Sequence, residues 1–164
     1  MWPEAISRRA LLAAPLILAA CGFAPVYAPG GVDPALTDRV TVEAPDTQDG
    51  FRLRARLEDR LGRAEAPTLR LTVDPAIEEV SAAVTPDGAI TRYNLEGRTP
   101  WRLMAADSGA VLAQGEATGF TGYSATGTIV ATRSAEEDAR ERLMVLLADD
   151  VVMRLVLLPP GTLP

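Results

Sequence analysis

Apolar residues recur at every second position in some stretches of this chain and at every third or fourth in others, and the switches between the two periods mark out its elements. Val40 and Val42 alternate with polar neighbours over residues 39–44, which predicts a short strand closed by Pro45. Leu53, Leu57 and Leu61 then repeat every four residues and predict a helix over residues 51–61, with Gly62 placed to end it. Arg52, Arg56 and Arg60 run beside that leucine stripe, free to face solvent or to greet an anionic partner. Arg54 and Glu58 stand one turn apart as an ion pair.

Leu69, Leu71 and Val73 alternate with Arg70 and Thr72, the pattern of a half-buried strand. Past Pro75 the apolar parity changes, from Ile77 to Val80, Ala82 and Val84, as it does where a one-residue β-bulge interrupts one long strand. Thr85-Pro86-Asp87-Gly88 is a turn. Tyr93, Leu95, Trp101 and Leu103 then take odd positions while Arg92, Asn94, Glu96, Arg98 and Arg102 take even ones, so a long strand presents one polar face. After a second turn at residues 106–109, residues 111–123 return as a strand loosened by Gly115, Gly119 and Gly122. Ser134 and Glu137 have the spacing of a capping box, and the acidic Glu136, Glu137 and Asp138 suit the positive end of a helix. A helix is predicted from there through Leu143, Leu147, Val151 and Leu155, until Pro159 and Pro160 stop it. The order β-α-β-β-β-α predicts an α+β fold: two helices packed on one face of a four-stranded mixed or antiparallel sheet, which buries both leucine stripes.

The amino-terminal end follows neither period. Arg8 and Arg9 precede an apolar run over residues 10–20, which ends in Leu18-Ala19-Ala20-Cys21. A positive start, a short apolar stretch and small residues at the cut make a secretory signal peptide. The small residues directly before the single cysteine resemble the lipobox of bacterial lipoproteins. At about eleven residues the run is far short of the roughly 20 that a membrane-spanning helix needs. Cleavage would leave Cys21 to carry a diacylglycerol and an acyl chain, more than the two chains that stable anchoring requires. Gly22 in place of an aspartate after the cysteine points, by the same likeness, to the outer membrane. Ser7-Arg8-Arg9-Ala10-Leu11-Leu12 has a faint likeness to a twin-arginine export motif. Residues 1–20 thus read as a signal peptide, 21–37 as the lipidated cysteine and a Pro/Gly tether, 38–158 as one domain and 159–164 as a tail.

Charge and composition narrow the chemistry. The net charge is −6 and becomes −7 once Arg8, Arg9 and Glu4 leave with the signal, which argues against nucleic-acid binding. All 16 basic residues are arginine and there is no histidine, so the commonest general base and metal ligand is missing. With Cys21 acylated no thiol remains, and no nucleophile motif is present; the chain reads as a non-enzyme with no cofactor and no metal. Asp149 and Asp150, adjacent on a helix, point apart and read as solvent-facing. Arg92, Arg98 and Arg102 beside aromatic residues either hold an anionic amphiphile or pair with Glu96 and Glu116 across strands.

Three stretches carry a family resemblance: the opening Cys21-Gly22-Phe23-Ala24-Pro25-Val26-Tyr27, the strand order with its Pro86-Asp87-Gly88 hairpin, and the closing helix with Glu137, Ala139, Leu143 and Arg154-Leu155. On these the chain resembles the LptE family of lipopolysaccharide-assembly lipoproteins. The resemblance implies a plug inside the LptD outer-membrane β-barrel, held at the periplasmic face of the outer membrane by its lipid anchor. There it would help assemble the barrel and hand lipopolysaccharide to the outer leaflet. The family's lipopolysaccharide contacts are basic residues near the hairpin and just before the last helix. In this chain the second place matches Arg133; the hairpin itself holds no base, and Arg92 is the nearest. Glycines and small polar residues over 115–127 would suit packing against a barrel wall. An auxiliary lipoprotein of an envelope lipid-transport ABC system is the alternative, with a similar size and anchor.

Overall fold

The computed structural model describes residues 35–159 and 161–163; the signal, the lipobox with Cys21 and most of the tether lie outside them. Its elements are β1 (Val40–Glu43), α1 (Gln48–Leu61), β2 (Leu69–Val73), β3 (Ala76–Val84), β4 (Ile90–Ala105), β5 (Val111–Ser124) and α2 (Ile129–Val156). The α+β architecture follows the periodicity: Leu53, Leu57 and Leu61 of α1 and Leu143, Leu147, Val151 and Leu155 of α2 are buried against Leu69, Leu71, Leu95, Trp101 and Leu103 of the sheet. β1 runs parallel to β2 and all other pairs are antiparallel.

The sheet has five strands rather than the four expected. Pro75 has no N–H to give to a ladder, and it divides what reads as one strand into β2 and β3. The bulge expected between Ile77 and Val80 is not there, and the break at Pro75 keeps the register as well. From Val73↔Trp101 to Ala76↔Arg98 both strands advance by three residues, and Asp74 N keeps the ladder by donating to Pro100 O at 3.2 Å. The register shifts only farther on, between Ser81 and Val84. Parity misled because no helix covers β3: Ile77 is half-buried and every other residue of the strand is exposed, so its apolar positions record no core. β5 pairs with β4 from Arg92 to Met104, which leaves β2 and β3 to share the opposite edge of β4 end to end.

Both helices begin earlier than predicted. Thr47 caps α1, its hydroxyl accepting from Gly50 N at 3.0 Å. Thr128, not Ser134, caps α2, accepting from Ala131 N at 3.2 Å, and Ser134 lies inside the helix. The β-branched Ile129, Val130 and Thr132 disguise this first turn, because they weaken helix propensity. The two helices lie side by side and run the same way. Arg56 sets two guanidinium nitrogens on the two carboxylate oxygens of Asp149, at 3.2 and 3.1 Å, and Arg140 reaches Asp49 at 3.4 Å. Part of the arginine row on α1 therefore serves the helix interface. Asp149 and Asp150 are half-buried and ion-paired, the latter to Arg154 at 3.0 Å, instead of solvent-facing. The hydrogen bond from Arg56 to Asp149 raises the arginine's already high pKa.

The glycines of β5 do different work. A Cβ on Gly115 would come within 2.8 Å of the Trp101 ring, which is rigid and buried, whereas one on Gly119 would meet only ordinary contacts from 3.7 Å. Gly115→Ala is expected to cost about 1–3 kcal/mol through overpacking. Gly119→Ala should be neutral or stabilising by up to about 1 kcal/mol. Urea unfolding of the two variants checks the order, and equal effects would contradict the packing assigned to Trp101.

Candidate functional site

Alternation along β4 sends odd residues to the helices and even residues to the uncovered face of the sheet. Leu95, Gly97, Thr99, Trp101 and Leu103 are buried, and Arg92, Glu96, Arg98, Pro100 and Arg102 are exposed. Arg92, Arg98 and Arg102 thus form one column, with roughly 20 Å between the first two and roughly 13 Å between the last two at about 3.3 Å per residue. Register decides their neighbours. Arg92 stands between Ala83 and Ser124, Arg98 between Ala76 and Thr118, and Arg102 between Thr72 and Gln114. The acids fall on other rungs: Glu96 faces Phe120 and Glu78, and Glu116 faces Pro100.

The cross-strand pairing weighed for these arginines is accordingly not made. Among the described residues, no ion pair or hydrogen bond engages the guanidinium of Arg92, Arg98 or Arg102. Arginines of the helices do have partners: Asp49 for Arg52, Glu58 for Arg54, Glu136 for Arg140, Asp150 for Arg154; Arg63, just past the end of α1, also reaches Glu58. An unengaged guanidinium flanked by hydroxyl or amide groups, as at Arg98 and Arg102, suits a tetrahedral oxyanion, whose geometry the planar fork matches.

Arg133 sits differently. It lies on the second turn of α2, its side chain 80% exposed and 3.6 Å from Glu137. The groove beside it is lined by Gln48, Thr132, Glu136, Glu137 and Arg140. Glu137 already pairs with that cation, which makes the place a poorer anion site than the column. Arg92 and Arg133 belong to the same end of the sheet, where Ala125 N donates to Thr91 O at 2.9 Å just before α2 begins, but they make no contact with each other. That end also exposes Val84 and Ile90 on the hairpin and Ile129 and Val130 on α2, the last two 89% and 79% exposed. The sequence singled out none of these four as surface; a β-branched pair directly after a threonine cap was the available signal for Ile129 and Val130.

The hairpin is fastened at its base. Tyr93 and Tyr123 stack at 5.4 Å, and Tyr123 Oη donates to Glu79 Oε2 at 2.9 Å. Burial, and then the bond to the Glu79 carboxylate, push the Tyr123 phenol well above its usual range. No described helix is long and apolar enough to cross a membrane, and no group of three metal-ligating side chains occurs among the described residues.

A family model for lipopolysaccharide assembly, LptE, matches residues 37–155. The chain belongs to the LptE family. That family is non-catalytic, and membership makes this chain an LptE-like envelope lipoprotein of lipopolysaccharide assembly. Solved structures share the fold. A protein described as a lipoprotein from Caulobacter crescentus superposes with a TM-score of 0.64 at 22% identity, over 77% of this chain and 94% of that one. Rare lipoprotein B from Shewanella oneidensis gives 0.55 at 13% identity, over 71% and 91%. A minor lipoprotein from Acinetobacter baumannii gives 0.54 at 12%, over 75% and 93%. No curated protein matches the sequence. The LptE-family match spans the whole described sheet and nearly all of both helices, so the arginine column lies within the family's common domain.

Tyr123→Phe should destabilise the fold by about 1 kcal/mol at neutral pH, since Glu79 is exposed and rehydrates. A phenol whose folded pKa is raised contributes stability that is complete below its unfolded value of about 10 and fades as pH rises through the folded one. Stability of the native chain should therefore fall above pH 10, and fall less steeply in the variant. Denaturant midpoints at pH 7, 10 and 11 measure both.

Proposed function

We propose that this chain is a lipid-anchored plug and assembly partner of an LptD-like outer-membrane β-barrel, and that it passes lipopolysaccharide toward the outer leaflet. The anchor is Cys21, acylated after cleavage of residues 1–20, and Gly22 directs the product to the periplasmic face of the outer membrane. The match to the lipopolysaccharide-assembly family over residues 37–155 supports the pathway. The observation that carries the lipid-handling role is the column of unengaged arginines on the uncovered sheet face. Arg98 and Arg102 are its strongest anion positions, Arg92 extends it toward the hairpin, and Arg133 contributes least because Glu137 already holds it. Sugar-linked phosphates present the tetrahedral oxyanions that such a column takes, and the exposed Val84, Ile90, Ile129 and Val130 offer apolar surface at its hairpin end. The domain needs no catalytic group for this: it binds, orients and releases.

Cys21→Ser is expected to leave the protein in the soluble periplasmic fraction, reduce the barrel recovered with it and lower surface lipopolysaccharide. For direct contact, Arg98→Glu combined with Arg102→Glu should weaken retention of purified lipopolysaccharide by at least tenfold, the equivalent of about 1.4 kcal/mol. Arg133→Glu should change it less than threefold. Equal losses in both variants would remove the column from the reading. Normal barrel assembly after depletion, or co-purification with an ABC permease instead, would remove the barrel.

A further inference from the structure

Among the described residues the sheet has three unpaired edges, and two are guarded against further pairing. β1 is four residues long and is followed closely by Pro45. β3 opens after Pro75, carries Glu78 and Glu79 on opposite faces and loses its register between Ser81 and Val84. Short strands, charges, prolines and irregularities are the usual devices that stop edge-to-edge association. β5 is the least guarded of the three. It is fourteen residues long with no proline and no basic residue, Glu116 is its single charge, and its one register shift lies at the far end, opposite Leu103 and Met104.

The phase of its free groups can be read from the ladder. Ala125 N donates to Thr91 O on β4, so odd residues of this strand turn their backbone groups toward β4 and even residues turn theirs outward. The outward set is Gln114, Glu116, Thr118, Phe120 and Gly122. Consistent with this phase, Arg142 of α2 reaches the Gly122 carbonyl from outside, at a long 3.4 Å. Apolar side chains flank the same edge on both sides. Phe120 is 71% exposed on the uncovered face, and Leu146 of α2 is 49% exposed beside Gly119 on the helix face. A strand laid along β5 would cover both.

We propose that the free edge of β5 is a strand-addition site for an extended segment of a partner protein, one that carries a lysine or arginine opposite Glu116 and apolar side chains beside Phe120 and Leu146. Backbone donors and acceptors in this spacing, otherwise left to water, are matched in register by another extended chain. Charge selects a partner over a second copy. Glu116 makes no ion pair among the described residues, β5 itself holds no base to offer a symmetry mate, and two copies would bring together two acidic chains. In the barrel complex of the proposed function, this edge is where the two proteins would be joined; the edge is argued without that complex.

The test places a photo-reactive benzoylphenylalanine at Gln114 of the full-length lipoprotein, in cells that also produce the LptD-like barrel, and maps the adduct by mass spectrometry. Thr118→Pro is then added to the same chain. It deletes one outward N–H and no bond to β4, while Thr118→Val keeps that N–H. The expected result is one adduct on a single segment containing a lysine or arginine, lost at least tenfold with Thr118→Pro and kept with Thr118→Val. Should Thr118→Pro unfold the isolated chain, Glu116→Lys replaces it and should lower the adduct at least threefold. An adduct to a second copy, an adduct insensitive to these variants, or no adduct overturns the inference. A sensitive adduct mapped to a different protein keeps the edge and sinks the barrel reading instead.

Discussion

β4 is hydrogen-bonded along both edges through most of its sixteen residues, and that double pairing constrains everything else in the domain. A strand held on both sides cannot slip by one residue without sending its whole apolar set to water. Leu95, Trp101 and Leu103 are therefore committed to the helices, and Arg92, Arg98 and Arg102 to the other face, by one decision. The buried side of that decision is tight. Gly97 leaves room for Leu143 and Leu147 of α2, and Gly115 on β5 leaves room for the Trp101 ring, so the helix layer sits close against the middle of the sheet. The face that carries the candidate site is the by-product of the face that makes the core.

Where a core lies beneath, the sequence was legible. The leucine spacing of both helices and the odd-even split of β4 give the α+β fold directly, because burial on one side imposes a period on the residues. Legibility failed where burial does. β3 is exposed on both faces, so its Val80, Ala82 and Val84 obey no core, and their parity suggests a bulge between Ile77 and Val80 that the ladder does not show until past Ser81. The start of α2 was missed for a related reason: its first turn is exposed and β-branched, and only the Thr128 cap marks it. Of the site, the column of arginines could be read as a row but not as unengaged. That property depends on cross-strand register, which places Glu96 and Glu116 on rungs of their own, and register is not written in one strand alone.

The helix layer and the sheet face divide the chain's charge between two tasks. Arg56 and Arg140 are tied to Asp149 and Asp49 across the helices, partly screened pairs that help hold α1 beside α2, while Arg140 and Arg154 also pair with Glu136 and Asp150 along α2 itself. The sheet face has acids too, but Glu96 and Glu116 stand on rungs of their own and form no ion pair with these arginines among the described residues. An anion reaching that face thus meets cations whose hydrogen-bonding capacity is not already filled. No partner has to be displaced and no ion pair broken.

The chain's net charge of −6 does not oppose such a role, because charge acts locally in salt water. Fields of exposed charges fade over about 8–10 Å at physiological ionic strength. Most of the paired acids lie on the helices, across the sheet from the column, and each is largely cancelled by a neighbouring arginine. What an approaching phosphate meets is the nearest rung, Arg98 beside Thr118 or Arg102 between Thr72 and Gln114, not the sum over the chain. Net acidity acts when two copies come within that distance, and there it disfavours their association. That repulsion fits the proposed strand addition: it disfavours a second copy along the edge of β5 and favours a partner that brings a base to Glu116.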